Sequence, residues 1–511
     1  MTATERVAEL LTETDAYKLS HVEMREPGLE YVYSNFTARG TRVPYIQEGT
    51  VFFGLQAFLQ VLNARWSEFF RLNVYDLEVV LDDYRDFVGR LLGKPEDEID
   101  DEHWRVLHSI GYLPLRIRAI REGSVVPLRV PYFTIENTDP RVPWLTNYLE
   151  TTLSANLWQP ITSATLSWAT RRMLNQLAME SSSTPEAVDF QMHDFSYRGM
   201  ENDAAAAASG AGHLISSLGT DTLPSIRYID RYYDAGNGVV GMSVPASEHS
   251  IMTADGPDGE FQTFERLIDL YPNGIVSLVS DSFDFWSALQ NFMPRLKDKI
   301  MARNGRVVLR PDSGVPELIL CGDPEAPEGS PARRGAIDIL GEVFGYTVND
   351  KGYKELDPHI GLIYGDGITH ERAESIVKNM MSQGWASTNV VFGFGSYTFQ
   401  YQSRDTFMMA MKATWVQVNG EPRNIFKDPI TDNGDKKSAR GRLAVRRQMS
   451  GIPYLIQEAT PEQEENQDME TVFENGVITR HQSFADVRAQ LKRDTEVLER
   501  TRVPEPEKVA I

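Results

Sequence analysis

The sequence predicts an α/β protein: an irregular β/α barrel-like domain in the middle of the chain, with mixed α+β segments at both ends. Three observations predict it. Four short apolar runs recur in the middle without polar alternation, as expected of parallel strands covered on both faces. Each run ends in small, acidic or basic residues and leads into a helix-like segment, the pattern of the ligand-binding rim of a barrel or open α/β sheet. The flanking parts instead mix helical spacing, strand-like segments and Asn-Gly turns. With 511 residues, of which 41% are apolar and 24% charged, the chain can bury a sizeable core and has the length of about two to four domains.

Taken in order, Leu77, Val80, Leu81, Tyr84, Phe87, Val88 and Leu91 fall at helical spacing between Asp76 and Leu92, and Gly93 and Pro95 stop that helix. Glu96–Glu102 reads as a solvated loop. Leu115–Ile120 and Tyr132–Glu136 read as strands, the latter closed by the turn residues Asn137-Thr138-Asp139-Pro140. Ala204–Ala208, with Gly210 and Gly212, reads as a closely packed helix of small residues. The four central runs are Ile275–Val279, Val307–Leu309, Ile360–Tyr364 and Val390–Phe392. Between the second and third lies a Pro-, Gly- and charge-rich excursion, Gly322–His359, which makes an irregular barrel the better expectation than a regular one. Asn419-Gly420 and Asn475-Gly476 predict hairpin turns. Pro461–Glu470 reads as an acidic loop, and Ser483 as the N-cap of a last helix carrying Phe484, Val487, Leu491 and Leu498 on one side.

Charge narrows the function. Lys and Arg number 51 against 73 Asp and Glu, a net charge of −22, which argues against nucleic-acid or anionic-membrane binding. An anionic substrate must therefore meet a local cluster of Arg and Lys. The single cysteine, Cys321, excludes a disulfide framework, Cys-based zinc sites and iron–sulfur clusters. The histidines match no zinc spacing. The N-terminus has no basic start followed by an apolar stretch, and no apolar run approaches the ~18 residues that span a bilayer. A soluble, cytoplasmic protein is expected.

The strand-end segments carry the chemistry. In Arg310-Pro311-Asp312-Ser313-Gly314, an Arg can fork onto phosphate oxygens and an Asp can accept ribose hydroxyls or help to hold Mg²⁺, although a surface Arg–Asp pair is an equal reading. Gly365-Asp366-Gly367 and Gly393-Phe394-Gly395-Ser396 follow strands in the same way, and glycine there frees backbone N–H groups to face phosphate. Neither is a Walker loop or a G-x-G-x-x-G turn. Within Ser243–Ser250, His249 beside Glu248 reads as a base, a nucleophile or a satisfied core histidine; a carboxylate such as Asp284 could orient its ring. His193-Asp194-Phe195-Ser196-Tyr197-Arg198-Gly199 combines rings that can stack on a heteroaromatic with an Arg that can take an anion. Arg404, Lys412 and Lys427 add positive charge farther on, each equally readable as a solvated surface residue.

These segments resemble a known family. Thr14–Lys18, Glu136–Pro140, His193–Gly199, Gly219-Thr220-Asp221, Pro245–Ser250, Val279–Asp284, Arg310–Gly314, Gly365–Gly367 and Phe426–Pro429 occur in the order seen in the nicotinamide phosphoribosyltransferases, which are type II phosphoribosyltransferases. The resemblance runs from near residue 12 to the final helix. It implies transfer of the phosphoribosyl group of phosphoribosyl pyrophosphate to nicotinamide in NAD salvage, releasing nicotinamide mononucleotide and pyrophosphate. It also implies Mg²⁺, ATP hydrolysis through a phosphohistidine, and a head-to-tail homodimer with shared active sites. The implied fold is the barrel-like domain, 166–410, with an α+β domain formed from both chain ends, 1–165 and 411–511.

By the same resemblance, Phe195 and a partner-subunit Tyr17 sandwich the pyridine, and Asp221 accepts from the carboxamide. Arg198 and Arg310 hold the pyrophosphate region, with Asp312 and Asp366 at the ribose or metal and Gly365 beside them. His249 accepts phosphate, supported by Glu248 and Asp284. Gly395 and Ser396, with Arg404 of the other subunit, hold the 5′-phosphate, and Lys412 and Lys427 bind phosphates of the substrates or ATP. The metal ligands are not assigned. A carboxylate at Asp221 would repel nicotinate, which favours the amide; the rival readings are a nicotinate phosphoribosyltransferase and a non-catalytic nucleotide-binding protein of the same fold. The sequence departs from the family pattern at Gly393–Tyr397, where a run of glycines is familiar, at Ser196 in place of glycine, and at Ala410 in place of serine.

Overall fold

The central apolar runs become parallel strands of one sheet: Asn273–Val279, Asn304–Arg310, Ile360–Tyr364 and Val390–Phe394. The computed structural model describes residues 2–236, 238–431 and 437–501. Two shorter strands that periodicity could not reveal, Met192–Asp194 and Gly219–Thr220, complete a six-stranded sheet. Its order is Gly219–Thr220, Met192–Asp194, Val390–Phe394, Ile360–Tyr364, Asn304–Arg310, Asn273–Val279, with every pairing parallel. One stretch of chain serves both edges. Thr220 N–H donates to Met242 O (3.0 Å) at one edge, while Ser277 N–H donates to Pro245 O and Ser247 N–H to Ser277 O (both 2.9 Å) at the other. Met242–Ser247 thus closes the sheet into an irregular barrel whose wall follows chain order, and it satisfies both open edges.

The wall is apolar because helices cover it. Leu278, Leu309 and Phe392 are wholly buried, in one core with residues such as Met293, Leu296 and Ile300 of the helix Met293–Met301. The excursion Gly322–His359 is ordered: it holds the helix Ala336–Phe344 and the hairpin Tyr346–Val348/Lys354–Leu356.

These strands belong to a unit of Leu166–Tyr228 and Asn237–Gln402; the other unit is Met1–Thr165, Ile229–Gly236 and Ser403–Ile511. Against the expected 166–410, the barrel unit therefore stops at Gln402, because Met409–Val418 is a strand of the other unit's antiparallel sheet. Ile229–Gly236 also departs, with the Tyr233 ring stacked on Phe53 at 4.9 Å.

The second unit is built from both chain ends. Its seven-stranded sheet runs Glu421–Asn424, Met409–Val418, Leu29–Ala38, Pro131–Asn137, Leu115–Ala119, Glu470–Glu474, Val477–Ile478. Leu29–Ala38 pairs antiparallel with Met409–Val418, and the Phe36 and Phe133 rings stack at 5.4 Å. Both Asn-Gly pairs make the expected hairpins, with φ of 51° and 76° at Asn419 and Gly420 and of 50° and 79° at Asn475 and Gly476. Such a type I′ turn needs positive φ at both positions. The expected helix forms over Val74–Leu92, although Phe87 and Leu91 stay largely exposed. Ser483 caps the last helix, Phe484–Thr501, its hydroxyl accepting from Asp486 N–H at 3.1 Å. Pro461–Glu470 is not a loop throughout: Thr460 and Gln463 form a reciprocal capping box that starts a helix over Pro461–Glu465. Among the described residues, no helix is long and apolar enough to cross a membrane.

His103 lies against the rings of Trp104 (4.8 Å) and Trp144 (5.0 Å), and its Nδ1 is buried without a partner. Burial pushes its pKa down to about 4, against a small opposing pull from Asp100 and Asp101. The unfolded chain therefore binds a proton that the native state refuses between about pH 6.5 and 4, so stability falls as pH falls through that window. The loss reaches about 3 kcal/mol at the acid end. Denaturant melts at pH 7 and 4.5 are expected to show this slope, and His103→Phe to flatten it.

Candidate active site

Every segment of the barrel wall delivers polar residues at its C-terminal end, and a cavity of about 760 Å³ lies there. Phe195, Arg198, Asp221, Arg310, Asp312, Gly365, Asp366, Gly395 and Ser396 all line it, together with Tyr197, Asn202, Asp203 and Tyr397. Nine of the residues expected at the site are thus brought together from five strand ends. Two of the lining residues carry a buried polar atom without a hydrogen-bond partner, Thr222 Oγ1 and Arg310 Nε.

Asp221 is held from two sides. Its Oδ1 accepts from His193 Nε2 at 2.9 Å and from the Ser243 hydroxyl. Burial works to raise this carboxyl, but His193, Ser243 and the Arg310 charge outweigh it and hold it below the ordinary carboxylate range. Asp221 is therefore an acceptor at neutral pH. His193, which sequence reasoning left without a role, is what orients it.

Arg310 donates from Nη2 to Ser247 O at 3.2 Å, and its own carbonyl accepts from Ser280 N–H at 3.1 Å. The loop behind it hangs on Asp281, whose Oδ2 accepts from Asp312 N–H (2.8 Å) and from the Ser313 hydroxyl (2.6 Å). Tyr364 OH adds a bond to Ser313 O at 2.8 Å. The turn Gly365–Gly367 is propped by Arg372 Nη1 on Gly367 O, also at 2.8 Å.

The histidine group differs from expectation. His249, Glu248 and Asp284 do not line the cavity. The carboxylate facing His249 is Asp281, with Oδ1 3.4 Å from Nε2, and not Asp284. Asp284 Oδ1 instead accepts from Ser287 N–H at 3.1 Å and caps the turn Phe285–Ser287, while Glu248 accepts from the Ser250 hydroxyl. Half-exposed His249 opens the short helix His249–Met252. Nearby, Glu260 is buried with one oxygen unpartnered; burial first, then the charges of Asp284 and Asp281, push it up to about 7.

The glycine-rich segments also differ. The strand expected to end at Phe392 continues to Phe394, and Gly393 sits in register with His193. Its backbone is committed to the sheet and not free to face phosphate. Only Gly395 and Ser396 enter the loop, where Gly395 precedes the turn Ser396–Phe399. Ser396 fits because residue 199 is glycine: a Cβ there would lie 1.8 Å from Ser396 Oγ. Ser196 is accommodated with φ −80°, its N–H donating to Asp194 Oδ1 at 2.9 Å.

Tyr17, Arg404, Lys412 and Lys427 belong to the other unit. Tyr17 is exposed, edge-on to the His21 ring at 5.1 Å, and Arg404 pairs with Asp405 at 3.3 Å. Lys412 and Ala410 line a smaller cavity of about 230 Å³ in that unit, with Arg39, Arg129 and Lys437 around it. Burial, and then the charges of Arg39, Lys427 and Arg404, lower the Lys412 pKa against the pull of Glu150. Lys427 lies outside that cavity, its N–H donating to the Ser438 hydroxyl at 2.9 Å. No group of three or more His, Cys, Asp or Glu among the described residues is arranged to hold a metal ion.

The model of the nicotinate phosphoribosyltransferase (NAPRTase) family matches residues 190–477, more than half of the chain. The chain belongs to this family. Within its neighbourhood, the chain is 46% identical over 499 residues to the nicotinamide phosphoribosyltransferase of Acinetobacter baylyi, covering 95% of this chain and 97% of that one. It is 35% identical to the nicotinamide phosphoribosyltransferase of Xanthomonas campestris pv. campestris, with 94% and 97% covered. Among solved structures, nicotinate-nucleotide pyrophosphorylase from Pyrococcus furiosus superposes with a TM-score of 0.56 at 15% identity, covering 97% of each chain. Human nicotinic acid phosphoribosyltransferase gives 0.54 at 15% identity, covering 95% of this chain and 94% of that one. These two show the family fold, the mixed α/β architecture that the sequence predicted.

Proposed function

We propose that the protein transfers the phosphoribosyl group of phosphoribosyl pyrophosphate to nicotinamide, giving nicotinamide mononucleotide and pyrophosphate. The observation that carries this reading is Asp221, an ionised acceptor on the same cavity as Phe195 and Arg310. A carboxamide offers N–H donors to such a group, whereas nicotinate offers only negative charge. The near-full-length likeness to enzymes named nicotinamide phosphoribosyltransferase supports the same choice.

In this reading the pyridine lies on Phe195, covered by Tyr17 of the partner subunit in a homodimer, and its ring nitrogen attacks the anomeric carbon as the bond to pyrophosphate breaks. Nicotinamide is a weak neutral nucleophile, so fixing its ring supplies orientation. Arg198 and Arg310 meet the charge developing on the leaving group, and Asp312 and Asp366 take the ribose hydroxyls. Both carboxylates line the cavity, so Asp312 and Asp366 would hold a hard Mg²⁺. When bound, such an ion would supply charge neutralisation at the departing pyrophosphate. Gly395 and Ser396 receive the 5′-phosphate with Arg404 of the partner subunit, while Lys412 and Lys427 bind phosphates of the substrates or ATP. His249 is the phosphate acceptor for ATP, oriented by Asp281, with Glu248 next to it in the chain and Asp284 three residues beyond Asp281.

Purified protein with phosphoribosyl pyrophosphate and Mg²⁺, offered nicotinamide or nicotinate with and without ATP, tests the proposal. Mononucleotide from nicotinamide is expected; product from nicotinate alone, or from neither, would overturn it. His249→Ala is expected to abolish ATP hydrolysis while leaving ATP-independent synthesis.

A further inference from the structure

Gly365, which lines the cavity, and its neighbour Gly393 have no conformational reason to be glycine. Neither Gly365 nor Gly393 has positive φ. What each lacks is room. A Cβ at Gly393 would lie 2.1 and 2.3 Å from Phe195 Cδ2 and Cε2, and 2.8 Å from Gly365 Cα. A Cβ at Gly365 would lie 2.8 and 2.9 Å from the same ring. Such contacts are far inside van der Waals distance, so the ring could not stay where it is.

The rest of Phe195 is fixed independently. Its N–H donates to Phe394 O at 2.8 Å, anchoring its backbone to the end of the strand that contains Gly393. The His193 ring stands 5.1 Å away, tilted by 59°. With backbone and flank both held, the remaining freedom is how deep the ring sinks, and the bare Cα atoms of adjacent strands set that depth.

We propose that Gly393 and Gly365 are positioning residues for the nicotinamide ring: together they form a side-chain-free floor that seats the Cδ2–Cε2 edge of Phe195 against the strand ends and so sets the width of the pyridine slot. This rests on the proposed function for the identity of the guest, though not for the seating itself. Gly393 thereby serves the aromatic ring, not phosphate.

In the full-length enzyme, Gly393→Ala is expected to raise KM for nicotinamide about tenfold or more while KM for phosphoribosyl pyrophosphate changes less than about threefold. Gly365→Ala should act in the same direction but more weakly, and it carries the test if Gly393→Ala does not fold. The decisive comparison is a double-mutant cycle, because a general structural defect would persist when the ring is removed. In a Phe195→Ala background, Gly393→Ala is expected to add less than about twofold. Equal losses in both backgrounds, or an effect confined to KM for phosphoribosyl pyrophosphate, would overturn the proposal. A crystal structure of Gly393→Ala with the Phe195 ring unmoved would overturn it whether or not nicotinamide is the substrate. A wild-type enzyme inert toward nicotinamide would sink the functional reading alone.

Discussion

Arg310→Ala is expected to lower kcat/KM for phosphoribosyl pyrophosphate by about 10²–10³, the effect of removing a preorganised cation from a site where negative charge develops. The reason is local. Arg310 is pinned at the end of a central strand by Ser247 O on one side and by Ser280 N–H on its own carbonyl, yet its Nε is buried without a partner. A guanidinium so placed has donors to give to an anion and little freedom to lose on giving them. Arg310→Lys should recover only part of the loss, because a point charge cannot fork onto two oxygens. Steady-state kinetics with each substrate varied would check this, with thermal melts to confirm that the barrel is intact. A loss below about threefold would show that another residue grips the leaving group.

Asp221→Asn is expected to change the choice of substrate more than the rate. Both donors on this carboxylate, His193 and Ser243, use Oδ1, so Oδ2 is the oxygen offered to a ligand N–H. Asparagine keeps the shape, removes the charge and turns part of the group into a donor. Efficiency with nicotinamide should fall about 10–10²-fold and nicotinate should become a measurable substrate, moving the preference by about 10² or more. His193→Ala should move the preference in the same direction by less, since it leaves Asp221 charged and held by Ser243 alone. Competition between the two pyridines, read as the ratio of their mononucleotides, measures the shift directly. A ratio unchanged in Asp221→Asn would place selectivity elsewhere on the wall.

Much of this site was legible because barrel strands announce their own ends. A short apolar run stopped by Arg310-Pro311-Asp312 or by Gly365-Asp366-Gly367 encodes, within a few residues, both a buried strand and the polar group it carries to the rim. Strands of two or three residues leave no such trace. Met192–Asp194 is a strand because the longer Val390–Phe394 pairs with it, and Gly219–Thr220 because it pairs with Met192–Asp194, so Phe195 was readable only in an unusual mixture of side chains and Asp221 only through the family resemblance. Capping boxes are local too: Thr460-Pro461-Glu462-Gln463 held the signal for a helix beneath its acidic composition.

Pairings distant in sequence were beyond any local pattern. Glu248 was a natural support for His249 by proximity and Asp284 by residue type and the family resemblance, but closing the barrel turns Asp281 toward it and spends Asp284 on a helix cap. The glycines at 365 and 393 were read as phosphate turns because glycine after a strand usually marks backbone freedom. Their role against the Phe195 ring depends on which strands lie side by side.

The sequence alone determined the α/β class, the order of the rim segments along the chain, the exclusion of a disulfide framework and of Cys-based metal sites, and the polar residues at the ends of the longer strands, because strand, turn and charge preferences act over a few residues. The tertiary structure alone decided that Met242–Ser247 closes the wall, that Asp281 faces His249 and that two bare Cα atoms seat one ring. Those outcomes depend on strand register, which brings together residues as much as 198 positions apart, such as Phe195 and Gly393, and no local preference contains that information.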